Sequence, residues 1–439
     1  MEEFGMSAHA LCKASHQGIG LATVELNDIG HVFATAIPQR GGTLREQAEN
    51  ALQSLDDVLR AEGTRQSIIR QTVFLTEPSQ IDECRQIIRD FYGPDLPVTS
   101  YVPQPPCNGK LLAIEAIGVG RGKAEVQIER FSDQIVRVTH NALSWVHCAN
   151  VTPRDGVTGA YNQTISSLSK LRGQLAKLDL GFDHVIRTWF YLGGIVADEG
   201  DTQRYKELNR ARSSFFEGVQ FLAGCQTGLP QPLSPYPAST GIGTEGRGLM
   251  LSCIALATAR PDIVAMPLEN PRQTSAFHYA SSYSPKSPKF ARALALSCGN
   301  YATIFISGTA SIVDSESLHL GDVEAQTHQT IDNIEALISE DNLGRHGLPG
   351  FGSSLEGLGQ VRVYIKRTED YPKILAVCAQ RLGDMPAIYT TADVCRPELL
   401  VEIEGIAFSR REPSPSSSVL RGPHFRQITP KPKIAARPQ

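Results

Sequence analysis

LAIEAIG (Leu112 to Gly118), LSCIALA (Leu251 to Ala257) and VEIEGIA (Val401 to Ala407) are three apolar stretches of one pattern, and each closes the same run of elements. Ahead of each lies a β-rich opening, then a long amphipathic helix, a strand, a second helix and a further strand. The period, roughly 120 to 150 residues, is too long for a solenoid and fits a whole domain written three times. The fold question therefore becomes which copy carries chemistry.

In the first copy a strand is expected at His31 to Ala36 and a helix from Leu44 to Ala61. Leu44, Ala48, Ala51, Leu52, Leu55, Val58 and Leu59 recur at three- and four-residue spacing, giving one apolar stripe, and Gly63 ends it. A strand from Ile68 to Leu75, a helix from Ile81 to Tyr92, and strands at Val98 to Val102 and Leu111 to Val119 complete the unit. The second copy repeats this from Leu143 to Leu256, with helices at Tyr161 to Leu178 and Thr202 to Phe216. The third runs from Tyr301 to Phe408, with helices at Asp322 to Ser339 and Tyr371 to Leu382. VIRTWFYL (Val185 to Leu192) and QVRVYIK (Gln360 to Lys366) carry apolar residues on both faces. Helices cover only one face of such a sheet, so the other copies are expected to bury the second.

The expected division is a first module at 1–125, a second at 135–260, a connecting segment at 261–299, a third module at 300–409 and a tail at 410–439. Arg260 to Arg292 is too long for a plain linker. The tail is rich in Pro, Ser and basic residues and nearly lacks a hydrophobic pattern, which predicts disorder.

With 439 residues, three modules of ordinary size fit well. A net charge of −4 gives no electrostatic reason to expect nucleic acid. No apolar run approaches the roughly 18 residues that cross a bilayer, and no secretory signal is visible, so a cytoplasmic protein is expected. Nine cysteines without CxxC spacing read as reduced thiols. Eleven histidines show no HExxH or ligand-spaced pair, so no metal and no cofactor are expected. GIGTEG (Gly241 to Gly246) formally satisfies GxGxxG, but a strand follows it, so no helix N-terminus is present to hold a phosphate.

The module, with SGTASI (Ser307 to Ile312) after an apolar strand and VEIEGIA at its end, resembles the RidA fold of the endoribonuclease L-PSP superfamily. That resemblance implies an α+β fold of three tandem RidA-like (chorismate-mutase-like) modules, each a β-sheet packed against two helices. Members of the superfamily form trimers with clefts between subunits, so three fused copies imply an intramolecular, monomeric pseudo-trimer. A more specific resemblance covers about Ala142 to Phe408. RTWFYL, GDTQRYKELNRAR, PASTGIG, ENPRQTSAFHY, SPKFARA, FISGTASI and ADVCRPELLVEIEG follow in the order seen in the chorismatase family. The first module is expected to be structural.

The chorismatase resemblance implies cleavage of the enolpyruvyl ether of chorismate, a small dicarboxylate, to pyruvate and a ring product, without metal. The family's motif makes Glu402 the general acid. Leu399, Leu400, Val401 and Ile403 supply the desolvation, and Glu404 the like charge, that a carboxyl needs to stay protonated near neutral pH. Glu404, on the same face, serves either the substrate site or an ion pair with an arginine. Cys395 and Gly308 match the branch that forms 3-hydroxybenzoate, with Thr309 beside Gly308. Carboxylates call for arginine; Arg272, Arg187 and Arg367 are the candidates, ahead of Arg210 and Arg362. Tyr191 and Tyr279 are candidate hydrogen-bond donors.

Two departures stand out. Phe190 occupies the place of an Asn that chorismatases usually carry. The position where RidA deaminases place their carboxylate-binding Arg holds Thr99, Ser239 and Ile388 in the three copies, which disfavours imine deamination. The alternative reading is a RidA-like enzyme or binder of another small carboxylate.

Overall fold

The structure, a computed structural model, describes residues 11–61, 68–222, 235–279 and 286–412. Gly63 and all but the start of the C-terminal tail lie outside the described residues.

The first copy contains β1 (Cys12–His16), β2 (Ile19–Leu26), β3 (Ile29–Ala36), α1 (Leu44–Ala61), β4 (Ile68–Leu75), α2 (Ile81–Tyr92), β5 (Val98–Val102) and β6 (Leu112–Gly122). The second contains β7 (Gln127–Ser132), β8 (Ile135–His140), β9 (Leu143–Val151), α3 (Ala160–Ala176), β10 (Val185–Gly193), α4 (Arg204–Phe215), β11 (Ala238–Thr244) and β12 (Leu249–Thr258). The third contains β13 (Val264–Leu268), β14 (Ala293–Cys298), β15 (Tyr301–Ala310), α5 (Val323–Ile338), β16 (Leu358–Ile365), α6 (Tyr371–Leu382), β17 (Ala387–Thr391) and β18 (Val401–Arg410). The expected helices and strands are present, most within two residues of the expected ends.

Each copy forms one six-stranded sheet, and the strand order is the same in all three: β1-β2-β3-β6-β4-β5, β7-β8-β9-β12-β10-β11 and β13-β14-β15-β18-β16-β17. The closing strand always lies between the third and fourth strands of its copy, and the fifth always runs parallel to the fourth. A β-bulge recurs at one place, between Ile68 and Arg70, Val185 and Arg187, and Leu358 and Gln360. This bulge fixes the equivalence of the copies residue by residue: Arg70, Arg187 and Gln360 correspond, as do Ala113, Met250 and Glu402 on the closing strands. Gly93 and Gly383 end α2 and α6 with positive φ, 55° and 65°, a conformation that glycine adopts without a Cβ clash.

The helices cover one face. Leu44, Ala48, Leu52 and Leu55 of α1 pack with Ile87 and Ile88 of α2 over Val32 and Ile114. The second face is buried by the other copies, as the two-sided strands required. Every residue of β4, β10 and β16 is buried, and one core joins Phe74 and Ala113 of the first copy to Leu192 and Ile254 of the second and Phe305 and Tyr364 of the third. Among the described residues no helix is long and apolar enough to cross a membrane.

Candidate active site

Where the three sheets meet, charged side chains are gathered out of water. Glu404 on β18 accepts from Arg187 Nη2 at 2.7 Å, Arg362 Nη1 at 2.9 Å, Trp189 Nε1 at 2.9 Å and Tyr364 Oη at 3.1 Å, and also from the Thr240 hydroxyl. Arg362 in turn grips Glu115 of the first copy through both carboxylate oxygens, at 2.6 and 2.7 Å, and donates to Thr72 and Tyr191. All three copies contribute to this cluster. Burial by itself would raise the Glu404 pKa, but Arg187 and Arg362 outweigh it and hold the carboxyl below its ordinary value.

Two residues earlier on the same face, Glu402 has no such partners. It pairs in register with Tyr364 on one side and Ala310 on the other, and it is 5% exposed. Burial, reinforced by the negative charge of Glu404 and opposed by Arg187 and Arg292, pushes its pKa up to about 8. Its carboxylate lies against Gly308, where β15 bulges between Ile306 and Thr309. A Cβ on Gly308 would come within 2.0 Å of Glu402 Oε1, so the glycine makes room for the acid.

Glu402 lines a cleft of about 540 Å³ between the second and third copies. The third copy supplies Gly308, Cys395 and Glu402, and the second supplies Tyr205, Asn209 and Arg212 from α4 together with Ser239 from β11. Tyr279, Phe290 and Arg292 of the connecting segment complete the wall. The seam is fixed by short hydrogen bonds across the two copies: Gly308 N donates to Thr240 Oγ1 at 2.9 Å, and Ser239 N to Ser307 Oγ at 2.9 Å. Cys395 is partly buried; burial and the neighbouring Glu402 push its pKa up to about 12, so it is a neutral thiol.

Three arginines reach this cleft. Arg212 is 1% exposed, its Nε and Nη2 have no hydrogen-bond partner, and its guanidinium faces the rings of Phe190 and Phe290 at 5.1 and 5.8 Å. Arg292 donates to Tyr279 Oη at 2.6 Å and to Thr274 O at 2.9 Å. Arg396 donates to Ser315 O at 2.8 Å. A buried guanidinium with open donors is costly unless an anion answers it, so this arrangement suits a small anionic ligand beside a carboxyl that holds its proton.

Of the residues singled out in the sequence, Glu402, Cys395, Gly308 and Tyr279 meet in the cleft. The others do not. Arg272 is exposed; its N–H bonds Asn270 and its carbonyl accepts from Asp314 N. Arg367 is on the surface beside Asp370 at 3.3 Å. Arg187 and Tyr191 belong to the central ionic cluster, as do Arg362 and Glu404. Thr309 turns its hydroxyl to Ser307 O, and Arg210 pairs with Glu207 on the surface. Arg212, Arg292 and Arg396 were missed, although each stands within a motif already quoted: GDTQRYKELNRAR, SPKFARA and ADVCRPELLVEIEG. Phe190 points into the core beneath Arg212 and is not part of the cleft wall.

Comparison with known proteins agrees with this geometry. A family model described as chorismatase FkbO/Hyg5-like, N-terminal, matches residues 122–257. The chain is 34% identical over 265 residues to a 3-hydroxybenzoate synthase of Streptomyces hygroscopicus, covering 59% of this chain and 72% of that one. It is 34% identical over 255 residues to a chorismatase of the same organism, covering 58% and 70%. A crystal structure of a chorismatase superposes with a TM-score of 0.59 at 25% identity, covering 78% of this chain and 93% of that one. By this measure of likeness the chain belongs to the chorismatase family.

Proposed function

We propose that the cleft between the second and third copies splits chorismate into pyruvate and 3-hydroxybenzoate, with Glu402 as the acid. The observation that carries this reading is a buried carboxyl with a pKa near 8 in a cleft that also holds the unpartnered donors of Arg212. Chorismate offers two carboxylates for arginine and an enol-ether methylene whose protonation loosens the ether bond. Glu402 hands its proton to that carbon, the neighbouring ring hydroxyl oxygen displaces the three-carbon unit as pyruvate and closes an epoxide, and the epoxide opens to leave its oxygen on the former ether carbon as that carbon's proton is lost. The protons released on the ring side restore the Glu402 acid. The two products together hold the atoms of the substrate, so this path consumes no net water, whereas release of a dihydrodiol adds one. Arg212 and Arg292 hold the carboxylates, and Tyr279, braced by Arg292, orients the ring. Cys395 and Gly308 select the aromatic outcome.

In the same reading the three sheets are the modules of an intramolecular pseudo-trimer, with bounds that correct those expected from the sequence: β7 starts the second module ahead of residue 135, and β13 and β14 draw both ends of 261–299 into the third, leaving only the stretch between them as a connection. One active cleft is supported. The positions matching Glu402 are Ala113 and Met250, and at the junction of the third and first copies Cys107 N bonds Tyr389 O while Thr390 Oγ1 bonds Gln104 O, so chain fills the space. The test is to incubate the purified protein with chorismate, quantify pyruvate and identify the ring product. Absence of pyruvate sinks the reading; pyruvate with a dihydrodiol sinks only the branch assignment.

A further inference from the structure

A second cavity, of about 90 Å³, opens at the junction of the three sheets away from Glu402, and its walls come from all three copies. Its inner wall includes Ile117, Ile254 and Ile406, which hold the same position on the three closing strands and also border the central ionic cluster. They partition the two spaces. Beside them on the second sheet lie Trp145 and His147 of β9, His147 in register with Ile254, and His140 at the end of β8.

The chemistry of this cavity is unlike that of the cleft. None of its lining residues is Asp, Glu, Lys or Arg, so nothing there answers a carboxylate, whose desolvation would go uncompensated. It is not featureless, however. His140 and His147 are 7% and 6% exposed, and the Nδ1 atoms of both, together with Trp145 Nε1, have no hydrogen-bond partner. Burial holds the imidazole pKa values down, to about 4 for His140 and about 3 for His147, so both rings are neutral. The His140 ring stacks on Trp145 at 6.4 Å and 22°. Among the described residues no three His, Cys, Asp or Glu side chains are grouped as a metal ion needs. Buried polar atoms left open in an apolar, aromatic-walled space of this size call for a ligand with one or two polar groups on a flat apolar body.

We propose that this cavity is a second binding site, for an uncharged, ring-sized aromatic molecule with a hydroxyl group, which the open His147 and Trp145 ring nitrogens hold by hydrogen bonds. The site is independent of the chorismate reading, because no residue of the cleft contributes to it.

Phenol is the probe, and benzoate the charged control. Calorimetric titration of the full chain is expected to show a phenol site that excess benzoate does not compete for, benzoate heat belonging to the arginine-lined Glu402 cleft. His147→Phe removes one hydrogen-bonding partner and weakens phenol about tenfold. Thr303→Phe, at a partly exposed wall position, fills the space and abolishes binding without disturbing the core. Crystals grown with 4-bromophenol then place the bromine anomalous peak inside this cavity, at the end away from the Trp145 and His147 nitrogens that hold the hydroxyl. A peak confined to the Glu402 cleft, no peak, or phenol binding that Thr303→Phe leaves intact overturns the proposal.

Discussion

Glu402 and Glu404 stand two residues apart on one strand and face the same way, yet they are held in opposite charge states. Glu404 is ionised because Arg187 and Arg362 reach it from two other strands at 2.7 and 2.9 Å. Its charge, added to burial, keeps the proton on Glu402. One carboxylate thus helps to set the charge state of the other.

Glu402→Gln keeps the shape and removes the proton. Turnover of chorismate should fall roughly 100- to 10,000-fold, the range for loss of a general acid, with an unchanged circular dichroism spectrum. In the parent protein, kcat should be flat below pH 8 and decline above it, since the acid is competent only while protonated and its pKa is about 8.

Stability should follow the same group. A carboxyl whose pKa rises from 4.5 to about 8 on folding binds more proton in the folded state across that window. Its stabilisation is complete below about pH 4.5 and is lost as pH climbs to 8, with a slope of at most about 1.4 kcal/mol per pH unit. Glu402→Gln should flatten that decline in denaturant titrations at pH 5, 6.5 and 8; an unaltered slope assigns it to other groups.

Gly308→Ala should act through position. The new methyl would meet Glu402 Oε1 at 2.0 Å and Thr240 Cγ2 at 3.2 Å, so the carboxylate must move. A displacement of about 1 Å costs on the order of 100-fold in rate. The expected signature is a fall in kcat with little change in KM, and a crystal structure with Glu402 turned aside.

Arg212→Met should leave folding intact, since Arg212 Nε and Nη2 bond nothing in the protein. Loss of a charged hydrogen bond to substrate is worth about 1.5 to 3 kcal/mol, read as a 10- to 100-fold rise in KM. Arg272→Met, at an exposed position outside the cleft, is the control and should be silent.

Arg362→Met should damage the fold instead. It strips Glu115 and Glu404 of a shared buried counter-charge, and breaking such a pair costs about 3 to 5 kcal/mol. Thermal unfolding should show the loss directly.

The repeat, the two-sided fourth strands and the bounds of α2 and α6 were legible because they rest on local pattern: apolar spacing and alternation. Glu402, Cys395 and Gly308 were legible because their motifs are contiguous. The arginines were not. Arg187 and Arg272 looked equivalent in the chain, but one is consumed by Glu404 and the other faces water, while Arg212 was hidden among surface-seeming helix residues.

What the sequence determined by itself is the triplicated α+β module and the choice of Glu402 as the candidate acid, since both follow from residues near one another along the chain. What tertiary structure alone decided is which cations are left over. Pairing of buried charges depends on distances between strands that lie 217 residues apart, as for Arg187 and Glu404, and no local pattern encodes those distances.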